Sequence, residues 1–184
     1  MKKRIINYLL VVAALTAPYL KSSAETVEIS TPNNTLALIA SPGETLEFLY
    51  YGDKLSESDL KSVAESQRAW MAGFPTFGMY GAQETALSIT QNDGNATSLF
   101  KVKGVETSTD NVSKTTIITL ADTAYPVTLK LYYKAYNSVD MIETWSEVIN
   151  NGKKPITLTQ YASAYLPIRK GDVWLSSLYG AWGN

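Results

Sequence analysis

The chain has 184 residues, 45% of them hydrophobic and 18% charged, with 16 Lys+Arg against 17 Asp+Glu and neither Cys nor His. This is the composition of a folded globular domain, too apolar for a disordered one. The missing residue types exclude His-ligated zinc, Ser-His and Cys-His nucleophile pairs, disulfides and iron–sulfur ligation, and the near-neutral charge gives no electrostatic case for nucleic acid. Any catalysis must use carboxylates, Lys, Tyr, or a metal held by oxygen.

The first 24 residues read as a secretory signal peptide. Lys2, Lys3 and Arg4 form a basic start, Ile5 to Leu20 is mostly apolar, and Ser22 and Ala24 put small residues at the −3 and −1 positions of a cleavage site between Ala24 and Glu25. A stable membrane anchor is disfavoured, because the apolar run falls short of the roughly 18 residues that a span needs and contains Asn7 and Pro18. Export to a bacterial periplasm or the extracellular space follows, and cleavage changes the charge balance. Lys2, Lys3, Arg4 and Lys21 leave with no acid, so the remainder holds 12 basic and 17 acidic groups, a net −5. An acidic surface of that size aids solubility and disfavours polyanions.

From residue 25 onward the periodicity is that of strands. In chain order the candidates are Glu25–Ile29, Thr35–Ile39, Thr45–Tyr51, Ala86–Gln91, Leu99–Thr107, Lys114–Leu120, Pro126–Tyr136, Met141–Ile149, Ile156–Tyr165 and Val173–Leu178. The cleanest is Pro126–Tyr136, where Val127, Leu129, Leu131 and Tyr133 alternate with Thr128, Lys130, Tyr132 and Lys134, as on a sheet with one face packed and one wetted. Met141–Ile149 repeats the theme, with Glu143, Trp145 and Glu147 on one face and Ile142, Thr144, Ser146 and Val148 on the other. Asn92-Asp93-Gly94-Asn95 predicts a hairpin between the strands that flank it. Only Glu57 to Arg68 reads as helical, with Ser56 or Ser58 as its cap. The fold class is therefore all-β: one large β-sandwich of about ten or more mostly antiparallel strands with little helix. The end of the chain, Trp174 to Asn184, is aromatic-rich and lacks a polar tail, which predicts that the natural polypeptide continues past Asn184.

Three features carry chemistry. Glu143 and Glu147 share a strand face about 13 Å apart at 3.3 Å per residue, farther than the roughly 5–9.5 Å between paired glycosidase carboxylates, so they read as solvated charges flanking Trp145. Asp53 and Asp93 read as turn residues. Twelve Tyr and four Trp against four Phe bias the aromatics toward rings with a polar tip, which stack on sugar faces and also line domain interfaces. The loop Gly73 to Gly81, with Phe74, Phe77 and Tyr80, lacks the Lys-Ser/Thr of a phosphate cradle and reads as a contact surface. No Asp/Glu cluster has the spacing of an oxygen-ligand loop, so neither metal nor cofactor is expected.

Four ordered blocks carry a family resemblance: Leu49-Tyr50-Tyr51-Gly52-Asp53-Lys54-Leu55, then Phe74-Pro75-Thr76-Phe77-Gly78, then Leu129–Tyr133 with Ile142–Trp145, and last Leu178-Tyr179-Gly180-Ala181-Trp182. Together they resemble the N-terminal domain of glycoside hydrolase family 36, the α-galactosidases. The resemblance implies that residues 25–184 form a β-supersandwich preceding a (β/α)8 barrel that is not in this chain. On that barrel two aspartates, nucleophile and acid/base, hydrolyse terminal α-galactosyl groups with retention, so no catalytic residue is carried over. The implied partners are the α-galactoside oligosaccharides bound by the parent enzyme, its own barrel, and further copies in a homo-oligomer. In some relatives a loop of this domain, reading Tyr-Pro-x-Tyr-Gly-x-Gly-Asp-Phe-Arg, reaches a neighbour's active-site mouth. Here Gly81, Ala82 and Gln83 stand at its last three positions, so the charged contact is missing and Tyr80, Gln83 and Glu84 are the substrate-proximal candidates. The alternative reading is a free-standing carbohydrate-binding β-sandwich module, which the Tyr/Trp bias would serve.

Overall fold

The computed structural model describes residues 25–66, 71–79 and 84–168. The segment read as a signal peptide, the Val173–Leu178 strand candidate, Tyr80 and Gln83 lie outside them, as do Ala24 of the expected cleavage site and Arg68 of the expected helix. Glu25, on the other side of that site, is described: its carbonyl accepts a hydrogen bond from Ala40 N–H at 2.8 Å, next to the first strand pair.

Among the described residues ten strands and one helix follow in the order β1 (Thr26–Ser30), β2 (Asn34–Ile39), β3 (Glu47–Asp53), α1 (Glu57–Ser66), β4 (Met71–Ala72), β5 (Leu87–Thr90), β6 (Phe100–Thr109), β7 (Ser113–Asp122), β8 (Val127–Tyr136), β9 (Ile142–Asn150) and β10 (Thr157–Tyr161). They form an antiparallel sheet β1-β2-β3-β4, a second antiparallel sheet β6-β7-β8-β9, and a pair, β10-β5. The all-β sandwich read from the periodicity is the fold observed.

The alternation along β8 is complete, with every second residue from Val127 to Ala135 buried. Its buried face meets Ile118 and Leu120 of β7 and, from the first sheet, Val27, Ile29, Leu36 and Leu38 in one core. Strand β2 instead is buried on four consecutive residues, Thr35 to Leu38. Leu36 and Leu38 face that core, while Ala37 joins Leu49 of β3 and Leu60 of α1 in a second cluster on the other side of the sheet. A strand covered on both faces loses its alternation. Helix α1 is capped as expected at one of its two candidate residues: Ser56 Oγ accepts from Asp59 N–H at 3.1 Å.

The turn at Asn92–Asn95 forms, with Gly94 at φ +88° and Gln91 N–H donating to Asn95 O at 2.8 Å. The strands beside it do not pair with each other, however. Strand β5 pairs with β10 and β6 pairs with β7, so the turn passes the chain from one sheet to another. The hairpin expected there is thereby corrected: the turn residues dictate the bend, but burial of Leu87 and Ile89 on one side and Phe100 and Val102 on the other decides where each strand goes.

One carboxylate ties the ends of the two sheets together. Asp140, in the turn before β9, accepts from Asn33 N–H and Asn33 Nδ2 at 2.8 Å each and from Thr31 Oγ1 at 2.9 Å. The Asn33 side chain first, then its backbone N–H and Thr31, hold the Asp140 carboxyl below the ordinary carboxylate range. Its contribution to stability is therefore fully present above the unfolded-state pKa of about 4 and is lost as pH falls through the lower folded value. Thermal melts at neutral pH, at pH 4 and at about pH 2.5 are expected to show a smaller acid-induced fall for Asp140→Asn than for the parent. Two parallel curves would show that Asp140 takes no part.

Candidate functional site

The outer face of β8 and β9 carries the residues singled out on these strands. Register sets Tyr132 opposite Trp145, Lys134 opposite Glu143 and Lys130 opposite Glu147. The Tyr132 and Trp145 rings stack with centroids 4.7 Å apart and planes 9° from parallel. Tyr132 Oη donates to Glu147 Oε2 at 2.7 Å, and Tyr136 Oη donates to Glu143 Oε2 at 3.0 Å, with Lys134 Nζ 5.1 Å from the Tyr136 ring centre. The hydrogen bond to Glu147, followed by burial, raises the Tyr132 pKa above its usual value. Glu143 and Glu147 are thus acceptors for tyrosine hydroxyls on either side of Trp145. Asp93 likewise serves its turn, accepting from Asn95 N–H at 3.0 Å and Tyr125 Oη at 2.9 Å. Asp53 closes β3 opposite Asn34, and its carbonyl accepts from Tyr50 Oη at 3.0 Å. Among the described residues no group of three or more Asp or Glu could hold a metal ion.

The glycine–aromatic loop is pinned at its root. Phe77 N–H donates to Leu87 O at 3.0 Å, Ser98 N–H donates to Phe77 O at 2.9 Å, and the buried Thr76 gives its hydroxyl to Ser98 O at 2.9 Å. Of the two phenylalanines read as surface contacts, Phe77 is half exposed but Phe74 is buried in the main core. Phe77 and Glu84 line one open groove of about 510 Å³ with Thr85 and Gln160. There Gln160 Nε2 donates to Glu84 Oε1 at 3.3 Å and to the Thr85 carbonyl, while Thr85 Oγ1 donates to Gln160 Oε1 at 3.0 Å. Glu84 also lies close enough to Tyr165 for its charge to add to the rise that burial causes in the Tyr165 pKa. Of the three substrate-proximal candidates, then, Glu84 is placed on a solvent-facing groove, and Tyr80 and Gln83 are outside the described residues.

A second cleft, of about 180 Å³, opens between the two sheets beside β9. Tyr51 and Phe74 line it from one side, Tyr133 and Ile142 from the other, and Tyr165 from the segment that follows β10. Sequence reasoning singled out Tyr51 as a member of a family block and Phe74 both in a family block and as a loop contact, but missed Tyr165, since nothing local tells which way the chain runs after β10. Tyr132 was legible as an outer-face residue, but its partnership with Trp145 needs the β8–β9 register.

Residues 44–184 match the model of the glycosyl hydrolase family 36 N-terminal domain. No curated protein matches the chain. Among solved structures it is similar to the α-galactosidase from Lactobacillus brevis, at 14% identity over 79% of this chain with a TM-score of 0.64. It is also similar to the family 36 α-galactosidase AgaA from Geobacillus stearothermophilus, at 14% identity over 76% of this chain and a TM-score of 0.62. To the galactosidase domain of the α-galactosidase-sucrose kinase AgaSK it is 21% identical over 77%, with a TM-score of 0.65. Variants of AgaA are solved in complex with raffinose and with stachyose. The chain covers 24% of each of these three chains, and the shared part is the β-sandwich. With its four blocks in family order, its sandwich fold and a family match over most of its length, this chain belongs to the glycosyl hydrolase family 36 N-terminal domain family.

Proposed function

We propose that this chain is the non-catalytic N-terminal sandwich of an exported α-galactosidase-like enzyme, one that removes terminal α-D-galactosyl groups from oligosaccharides with retention of configuration. The observation that carries the reading is the family match over residues 44–184, and the α-galactosidases that share the sandwich agree with it. In this reading the sandwich scaffolds a catalytic barrel and its oligomer, and the nucleophile and acid/base aspartates belong to the barrel. The carboxylates described above support it, since Glu143, Glu147 and Asp93 are each committed to a tyrosine hydroxyl. Export to the periplasm or beyond rests on the basic start, the apolar run and the Ser22–Ala24 cleavage pattern. Among the described residues no helix is long and apolar enough to cross a membrane.

The test is to assay the complete gene product and residues 25–184 in parallel on an aryl α-galactoside. Activity in the complete product, with none in residues 25–184, is the expected result. Hydrolysis by residues 25–184 themselves, or an inactive complete product, would overturn it. A second reading, a free-standing sugar-binding module, is favoured by one observation, the stacked Tyr132–Trp145 pair on the solvent face. Saturable heat of galactoside binding to residues 25–184 would support that module.

A further inference from the structure

Tyr133 lies on the packed face of β8, 7% exposed, and its hydroxyl makes no hydrogen bond among the described residues. A buried tyrosine hydroxyl ordinarily has a partner, since without one it gives up its hydration and gains nothing in exchange. Burial raises the Tyr133 pKa above its usual value, so the phenol keeps its proton at neutral pH. The group is a donor that lacks an acceptor.

This residue also lines the cleft of about 180 Å³, with Leu131 and Ile142 beside it and Leu36 and Phe74 across from it. A third wall is the segment from Ser163 to Leu166. That segment is held in place just before it starts, where Tyr161 Oη donates to the Ser146 carbonyl and Ser146 Oγ donates to Ala162 O at 3.3 Å. Tyr51 and Leu166, which also line the cleft, are 48% and 42% exposed and mark its opening to solvent.

Size and polarity select the occupant. An apolar cavity of about 150 Å³ takes a benzene ring, so this cleft has room for one ring and a small substituent. Water filling it meets mostly carbon, and is therefore poorly held and readily displaced. A sugar fits worse, because its hydroxyls surround the ring and walls of leucine, isoleucine and aromatic side chains leave most of them without partners. Thr144 and Ser163 also border the cleft, but one is half-buried and the other exposed, so water can serve their hydroxyls. A ligand with one acceptor and no donor of its own satisfies the Tyr133 hydroxyl and leaves nothing unpaired.

We propose that the cleft binds a one-ring aromatic compound bearing a carbonyl oxygen, with the ring against Leu36, Phe74 and Ile142 and the oxygen accepting from Tyr133 Oη. The proposal concerns the sandwich itself and stands whether or not the parent protein is an α-galactosidase.

The experiment is a titration of the full chain with acetophenone, a phenyl ketone, followed by the shifts of its backbone amide resonances. Saturable shifts at Leu131 to Tyr133, Ile142 to Trp145 and Ser163 to Leu166 are expected, with a dissociation constant below about 1 mM for a ligand of this size. Tyr133→Phe keeps the ring and removes the hydroxyl, and is expected to weaken binding roughly 3- to 10-fold, the worth of one neutral hydrogen bond. Ile142→Trp, which fills the cleft, is expected to abolish the shifts. Unchanged β7 amide resonances in each variant show that it has folded. The absence of shifts in the parent chain at 10-fold above that concentration, or shifts confined to other residues, would overturn the proposal. Equal affinity in Tyr133→Phe, or binding that survives Ile142→Trp, would do the same. Cleft shifts with methyl α-galactoside in place of acetophenone would assign the site to sugars instead.

Discussion

Leu129→Ala is expected to destabilise the sandwich by about 2–5 kcal/mol. Leu129 has no exposed surface and sits in β8 between two neighbouring strands, opposite Leu120 of β7 and Val148 of β9, on the face turned to the first sheet. Its neighbours are held in two ladders, so they cannot close over the space that a truncated side chain leaves, and the cavity cost adds to the lost burial. Against a total stability of about 5–15 kcal/mol for a domain, the loss is large. It corresponds to a melting point lower by roughly 5–15 °C for a chain of this size. Lys130→Ala, one residue along and on the wetted face, is the control and is expected to stay within about 0.5 kcal/mol of the parent. Chemical denaturation of the two variants checks both values, and equal effects would show that the alternation along β8 does not mark the core.

Gly78→Ala is expected to cost about 2–4 kcal/mol, from two separable sources. Gly78 has φ +97°, a conformation that side chains rarely adopt. A Cβ built there would also lie 2.4 Å from Thr97 Cγ2 and 3.1 Å from the Thr97 Cα. Gly94 provides the comparison: at φ +88° it has the same conformational demand, but a Cβ would meet no atom within 4 Å. Gly94→Ala should therefore cost only the conformational part, about 1–2 kcal/mol. Adding Thr97→Ala to Gly78→Ala removes the closer contact and should recover part of the difference. If the two glycine variants are equally destabilised, the packing of the Gly73–Met79 loop on Thr97 is not what requires glycine.

The parts of this fold that could be read from the sequence are those where a local rule and the tertiary environment agree. Strand β8 has one packed and one wetted face, so its alternation of polar and apolar residues records the sheet directly. The cap of α1 was legible because Ser56 bonds within its own first turn. Strand β4 was not, because its two residues become a strand only by pairing with Glu47 and Phe48. The Asn92–Asn95 turn was read correctly as a bend and wrongly as a hairpin, since turn chemistry is local and the choice of partner strand is not. At the candidate site, Glu143, Trp145 and Glu147 could be placed on one face, but their tyrosine partners could not without the register. Glu84 meets Gln160 across 76 positions, a separation that no local pattern encodes. The functional reading came from four short blocks whose order, and not their individual composition, is specific.

The pairing of β5 with β10 has a consequence for how the sandwich comes into being. Each strand of the β6–β9 sheet adjoins the one made just before it, so every ladder there closes a short loop. Thr159 on β10 and Ser88 on β5 are 71 positions apart, and the chain between them contains that entire four-stranded sheet. The entropy lost in closing a loop grows with the logarithm of its length, and structure formed within the loop shortens the distance left to span. The meander, like the equally local β1–β2 and β2–β3 pairs, can therefore form before the β5–β10 ladder. Until residue 161 has left the ribosome, β5 lacks the strand it pairs with among the described residues. The middle of the sequence is finished before β5, the strand that precedes it, is paired.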